Sequence, residues 1–379
     1  MNIKSFCSTE ILFSKKEKII DIITSLCVGN VVLVMSKPSV HRYELMNLVE
    51  NLELNCKRLN GNFIWINDIK SNPTQEEVIS ALKLIGNNKI DIIVSIGGGS
   101  AIDLAKAISA FNNPQYNSRY TIEEITEVIF KKEFNDNFID IVAIPTTAGT
   151  GSEVTEWATI WDITKNQKYS IDNPKIKPKI AIIVPELTLS MSKIMTISTG
   201  LDAISQAIEA YWSKHTNPIV QEIAFRAIEL ILINLRKAVD NPNDKLAREN
   251  LCTASLLSGI AFSKTRTTAC HSISYPLTIL YGIPHGLAVA MTLDSVSKIN
   301  KGNFPNCEKL FDLLHRYGGI KAWIEVVCDG IVKLRLSEFG IKEDDFSIIA
   351  DKSFTNGRMD NNPVSLSMDD VINILKMNL

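Results

Sequence analysis

Five short apolar runs rich in β-branched residues fall within the first 185 residues, and no comparable series follows: "NVVLVMS" (30–36), "NFIWIND" (62–68), "IDIIVSI" (90–96), "FIDIVAIP" (138–145) and "KIAIIVP" (179–185). Runs of this length with little polar alternation predict strands buried on both faces of a parallel sheet. Helical stretches such as "TQEEVISALKLIGNN" (74–88) alternate with them. Past Pro185 the strand signals stop, and long helix-period segments take over at 217–240, 243–262 and 306–317. With 379 residues the chain is long for one core. The change of texture predicts an α/β domain over 1–185 and an all-α domain over 186–379, with a cleft between them as the expected binding place.

Within the first domain, "IDIIVSIGGGSAIDLAKAISAF" moves from a buried strand through Gly97, Gly98 and Gly99 into an amphipathic helix. Glycines let backbone approach a phosphate closely, and the free N–H groups and positive end of the helix favour the anion. Ser100 and Asp103 fit an N-terminal capping pair. The glycines alone also fit a tight turn with no ligand. A second loop, "IPTTAGTGSEVT" (144–155), follows another buried strand; two such loops at the carboxyl ends of parallel strands are where an open α/β sheet binds nucleotides.

The second domain holds a different chemistry. His271 and His285, two of five histidines, lie fourteen residues apart in "HSISYPLTILYGIPH", so neighbouring helices joined at "YGIP" can bring them together. Asp202, read as lying near a helix start in "TGLDAISQAIEAYWS" (199–213), faces the same way as Gln206 one turn later. A carboxylate, two imidazoles and an open position suit a divalent Zn or Fe acting as a Lewis acid. Taken singly, each histidine also reads as a satisfied core or cap residue, and Asp202 as a helix N-terminal charge. Cys270 adjoins His271 but on a helix points about 100° away, into the core.

A net charge of -2 gives no excess of base for a nucleic acid or an anionic membrane. No apolar run approaches the ~18 residues of a membrane span, and "MNIKSFCSTEILF" has no leader-like core. Seven scattered cysteines without a C-x-x-C pair argue against a disulfide framework or zinc ribbon and for a reducing cytoplasm.

"GGGSAIDLAK", "IPTTAGTGSEVT", "STGLDAISQAIEAY" and "YGIPHGLAVAM" together resemble, in order and spacing, the iron-containing (group III) alcohol dehydrogenases. The resemblance covers most of the chain. It implies the dehydroquinate synthase-like fold of that family: an N-terminal α/β dinucleotide-binding domain, an all-α metal-binding domain, and reversible reduction of a small aldehyde by NADH or NADPH. By this resemblance Gly97, Gly98, Gly99 and Ser100 would hold the pyrophosphate and Asp103 would support the turn. Thr146, Thr147 and Ser152 would line the cofactor, and Lys168 would reach toward the nicotinamide. Asp202, His271 and His285 match three metal ligands. Where the family usually has a further histidine ligand, this chain has Gln206, a weaker neutral donor. Where it often has another histidine four residues after the first of the pair, Tyr275 stands, either a proton relay or a packing residue.

"SKTRTTACHSISYPLT" (263–278) and "EWATIWD" (156–162) look most like the phosphonoacetaldehyde reductase branch. A cation pair, Lys264 and Arg266, just before the ligand-bearing helix suits a dianionic phosphonate, though both also read as solvated loop charges. The expected reaction is phosphonoacetaldehyde to 2-hydroxyethylphosphonate. The alternatives are a general short-chain alcohol or diol dehydrogenase, a dehydroquinate-synthase-like lyase, and a non-catalytic relative without metal. Ser36 stands at the first strand end, where an acidic residue normally excludes a 2′-phosphate, so use of both coenzymes with a bias to NADPH is expected. A homodimer is the expected assembly.

Overall fold

The structure, a computed structural model, describes residues 7–162, 164–165 and 167–379; the six residues that open the chain, part of the stretch read as lacking a leader, lie outside these. The chain divides into two compact units, Met1–Thr147 with Ser152–Ser190, and Ala148–Gly151 with Met191–Leu379.

All five apolar runs of the first unit become strands. In chain order the strands are β1 (Glu10–Phe13), β2 (Val31–Val34), β3 (Phe63–Ile66), β4 (Ile92–Gly97), β5 (Asp140–Pro145), β6 (Trp157–Asp162), β7 (Gln167–Asp172) and β8 (Ile180–Ile183). Six of them form one sheet in the order β1-β8-β5-β4-β2-β3, every pairing parallel. The runs lack alternation because both faces are covered. Val32, Val34 and Ile93 pack with Leu82, Leu104 and Ile108 on one side, and Val31, Leu33 and Val94 with Ile19, Leu48 and Leu52 on the other. Each such fully buried side chain contributes about 1.5–3 kcal/mol relative to exposure. From β2 the chain moves outward to β3, whereas from β4 it moves the opposite way to β5. The strand order therefore switches between β2 and β4, which is where an open parallel sheet forms its ligand crevice.

Two features of this unit were not expected. β1 extends the sheet beyond β8. "EWATIWD" and "QKYSID" pair as an antiparallel hairpin, β6 with β7, in a second sheet.

The second unit is built of helices. Ser192 caps Lys193–Trp212 by accepting from Met195 N. Asn217, followed by Pro218 in the first turn, caps Pro218–Asp240, and Asp244 caps Lys245–Thr265. Ala269–Tyr281 ends at Gly282, whose φ of +67° closes the helix in the left-handed region, and His285–Asn300 follows at once. The Ser192 cap corrects one expectation: Asp202 is not near a helix start but in the middle of a 20-residue helix, buried to 4% exposure. A charge there gains nothing from the helix end, and it needs another reason to be buried. Among the described residues no helix is long and apolar enough to cross a membrane.

Candidate active site

In the first unit, β4 runs into the Gly99–Phe111 helix with a single residue, Gly98, between them. No side chain caps this helix. Its first intrahelical bonds run from Ala101 N and Ile102 N to Gly98 O, so the N–H groups of Gly99 and Ser100 lie ahead of the ladder. Gly97 is required for packing, because a Cβ there would stand 2.6 Å from Ala101 Cβ. The expected Ser100–Asp103 capping pair does not form. Ser100 Oγ accepts from Asn72 N at 3.2 Å, while Asp103 is turned into the protein, accepting from Ser152 Oγ at 2.7 Å and Thr159 N at 2.9 Å. Burial raises the Asp103 pKa, against the opposing pull of Lys106 and these donors.

Lys106, one turn on and fully buried, donates to Ser152 Oγ, Thr155 Oγ1 and the Trp157 carbonyl at 2.9, 3.1 and 2.8 Å. Burial brings its ammonium down to about 8 despite Asp103 and Glu153. The Ser152 hydroxyl is thus committed on both sides, to Asp103 and Lys106, and braces the second loop. Thr146 N donates to Gly97 O, and Thr147 stands 3.4 Å from where a Gly98 Cβ would be, so both threonines border the glycine turn. Ser36, beyond β2, accepts from Ser39 N and caps the next helix. Lys168 lies on β7 opposite Trp161, close enough to Asp103 to lower its pKa slightly against burial.

In the second unit, Asp202, His271 and His285 converge, with one donor atom from each within 4.8 Å of the others. His271 Nε2 lies 3.3 Å and His285 Nε2 3.9 Å from Asp202 Oδ1. Despite that closeness, buried Asp202 Oδ1 and His271 Nε2 make no hydrogen bond. Each imidazole is oriented by its other nitrogen. His271 Nδ1 faces Glu209 Oε2, and His285 Nδ1 faces Ser274 Oγ at 3.4 Å. Ser274 spends its own proton on the His271 carbonyl at 2.7 Å, so its oxygen is left to accept from His285. Both histidines then carry hydrogen on Nδ1 and offer Nε2 lone pairs to one point beside a carboxylate oxygen. This donor set fits a divalent metal such as Zn or Fe.

Glu209 was not anticipated from sequence. It is fully buried, two turns after Asp202 on the same helix. Its Oε1 accepts from Thr268 Oγ1 and Cys270 N at 2.8 Å and from His271 N at 3.3 Å. Burial acts to raise its pKa, but the His271 charge and these donors outweigh it and hold the carboxyl below its ordinary value. Burial likewise acts to lower the His271 pKa, yet Glu209 and Asp202 raise it to about 10. Proton and metal therefore compete for Nε2. Glu209→Gln is expected to weaken metal affinity about 10–100-fold, as loss of an orienting carboxylate does, measured by competition with a chelator; unchanged affinity would remove Glu209 from this role.

Gln206 is buried between Asp202 and Glu209. Its Oε1 lies 3.3 Å from Ser258 Oγ, whose single proton has a nearer acceptor in Ala203 O at 2.8 Å. Tyr275 is largely buried with its ring stacked on His285, centroids 6.0 Å apart and 11° between planes. Cys270 is fully buried, as expected. Lys264 is exposed in the last turn of Lys245–Thr265, and Arg266 is the C-cap of that helix.

Comparison with known proteins agrees with this chemistry. Residues 8–185 match the family model for iron-containing alcohol dehydrogenase, and residues 196–379 match the C-terminal domain of the Fe-containing alcohol dehydrogenase family. Alcohol dehydrogenase 4 of Schizosaccharomyces pombe is 33% identical over 81% of this chain and 73% of its own length. The 1,3-propanediol dehydrogenase of Citrobacter freundii is 33% identical over 78% of each chain. Among solved structures, a sulfoacetaldehyde reductase from Bifidobacterium kashiwanohense in complex with NAD+ superposes with a TM-score of 0.84 at 30% identity, covering 98% of this chain and 97% of its own. The chain belongs to the iron-containing alcohol dehydrogenases and is a nicotinamide-linked, metal-dependent oxidoreductase of small alcohols and aldehydes.

Proposed function

We propose that the chain reduces a small anionic aldehyde to its primary alcohol, with phosphonoacetaldehyde to 2-hydroxyethylphosphonate as the specific reaction. The observation that carries this reading is Arg266. Its backbone sits at φ 61°, ψ 177°, a region that costs a non-glycine residue about 1–3 kcal/mol and persists where function holds it. Arg266 is half-buried and lies five residues before His271 in sequence. A guanidinium binds a phosphonate or sulfonate through paired charge-assisted bonds. The resemblance in fold and sequence to a sulfoacetaldehyde reductase supports the same substrate class.

When bound, the metal supplies a Lewis acid for the carbonyl oxygen and the reduced nicotinamide supplies hydride. The chain's own residues do the rest. Asp202, His271 and His285 ligate, and Gln206 joins them if its amide turns so that Nε2 donates to Ser258 and the oxygen faces the ligand point. Glu209 and Ser274 hold the imidazoles. Tyr275, kept beside His285 by stacking, or a water returns the proton to the product oxygen. Gly97–Ser100 receive the pyrophosphate on free N–H groups, with Thr146 and Thr147 at the edge, Lys168 toward the nicotinamide, and Asp103 with Ser152 bracing the loop. Ser36 places no carboxylate at the end of β2, which supports use of NADPH as well as NADH. The reading includes a homodimer working in the cytoplasm.

A neutral short-chain alcohol or diol is the second reading, favoured by the identity to 1,3-propanediol dehydrogenase. Steady-state kinetics separates the two. The wild type is expected to prefer phosphonoacetaldehyde over butyraldehyde in kcat/KM, and Arg266→Ala to reduce that ratio by about 10–100-fold, the worth of a lost charge-assisted bond. No preference in the wild type would favour the neutral substrate.

A further inference from the structure

We propose that Lys106 is a positioning residue of the coenzyme site: its buried ammonium clasps the far end of the 144–155 loop to the helix that opens at the glycine turn, and coenzyme binds tightly only while that clasp is closed. This rests on the reading above that the glycine turn and the loop beside it receive the coenzyme. Lys106 lies seven residues after Gly99 on the Gly99–Phe111 helix, about 10 Å along its axis. It therefore acts through the loop and not by touching the ligand.

The loop is fastened at both ends to one strand, turn and helix. At its start Thr146 N donates to Gly97 O at 3.0 Å. At its end the Lys106 ammonium donates to Ser152 Oγ, Thr155 Oγ1 and Trp157 O. Three protons meet three uncharged oxygens, and all are spent. Ser152 passes the link on by giving its proton to Asp103 Oδ1, while Asp103 Oδ2 accepts from Thr159 N. Ser152 and Thr155 are buried, so a lost bond leaves a polar atom unsatisfied instead of returning it to solvent.

The clasp depends on charge. A neutral amine has one proton fewer and a lone pair in its place, which would face an oxygen where a bond now stands. Asp103 on the same helix, Glu153 in the short turn Ser152–Val154, and Lys177 with Glu156, themselves paired at 3.5 Å, all act on the ammonium; Lys168 acts on Asp103. Burial, the largest influence, brings the Lys106 pKa down to about 8, with Lys177 adding to it and Asp103, Glu153 and Glu156 opposing. The closed, charged form therefore prevails below that pH and is lost as pH rises through it.

The test measures NADH binding by nicotinamide fluorescence across about pH 6.5–9.5, with steady-state kinetics beside it, in the wild type, Lys106→Arg, Thr155→Val and Gly98→Val. The wild-type dissociation constant is expected to rise about 10-fold between about pH 7 and 9 as the competent fraction falls, with kcat at saturating coenzyme moving less. Lys106→Arg keeps its charge throughout and is expected to remove this loss. Thr155→Val takes one acceptor from the ammonium. It is expected to weaken binding about 3–10-fold at neutral pH and to move the loss to lower pH, since the charged form has one bond fewer. Where Lys106→Arg does not fold, the Thr155→Val shift alone decides. A wild-type constant that is flat over this range, or a loss that both variants leave unmoved, overturns the role of Lys106. Gly98→Val puts a side chain between the glycine turn and Thr147 and tests the reading beneath. If it weakens NADH binding while the pH arm fails, the glycine turn holds the coenzyme without the clasp. If it binds NADH as the wild type does, that reading and this inference fall together.

Discussion

His285→Ala is expected to strip the metal and with it nearly all turnover, while the fold stays intact. The side chain of His285 is 38% exposed, so its removal opens no sealed cavity, and Ser274 still has the His271 carbonyl for its proton. What is lost is one of three converging donors. If polarisation of the carbonyl by the metal is worth several kcal/mol, turnover falls about 1000-fold or more. His271→Ala is expected to lose metal equally but to cost stability as well. There the imidazole is buried and satisfies Glu209, a carboxylate that is fully buried; three donors remain to it, from Thr268, Cys270 N and residue 271 N. Removing the cationic partner of a buried carboxylate costs about 3–5 kcal/mol when nothing else compensates, and those donors hold the penalty below that range. Metal content by elemental analysis, thermal melting and turnover together read the contrast. Metal and activity retained in either variant would remove that residue from the ligand set.

The sheet and the cluster of Asp202, His271 and His285 were legible because each leaves a local mark. A strand covered on both faces reads as an unbroken apolar run, as "VVLV" and "IAII" do. β1 leaves no such mark: four residues, EILF, exposed at both ends, owe their strand identity to pairing with β8 some 170 residues away. The hairpin did alternate, buried and half-buried in turn along β6, but a two-stranded ribbon outside the main sheet leaves no repeat to set it in. The sequence reading of "TGLDAISQAIEAYWS" puts Asp202 near a helix start. Gly200 is instead a packing glycine inside the helix, since a Cβ there would stand 2.3 Å from Leu235 Cδ1. Glu209 was missed for a related reason. On a helix whose Asp202–Trp212 stretch is wholly buried, no boundary between apolar and polar faces singled it out, and its role depends on His271, 62 residues on.

The largest structural effect from the smallest change is expected at Gly286→Ala. Gly286 follows His285 in the first turn of its helix, and a Cβ built on it would stand 1.8 Å from Ser198 O and 3.0 Å from Asp202 Cβ. The Ser198 carbonyl belongs to the backbone of the Lys193–Trp212 helix, which cannot rotate away as a side-chain end can. The methyl group can be admitted only if the helix carrying His285 moves off the helix carrying Asp202. Such overpacking costs about 1–3 kcal/mol, occasionally more, and here the displacement falls on the distance between two ligands, where a shift on the order of 1 Å undoes a site. Metal affinity is expected to drop at least about 100-fold together with the melting temperature. Gly282→Ala supplies the comparison, four residues earlier in the same connection. A Cβ on Gly282 meets nothing within 4 Å, and the only penalty is its φ of +67°, about 1–2 kcal/mol for an alanine. The two substitutions thus separate strain in the turn from loss of helix contact. Gly282→Ala is expected to lower stability and leave metal affinity near that of the wild type. If Gly286→Ala binds metal as Gly282→Ala does, the approach of the two helices at Gly286 does not set the ligand spacing, and the convergence of Asp202 and His285 has another cause.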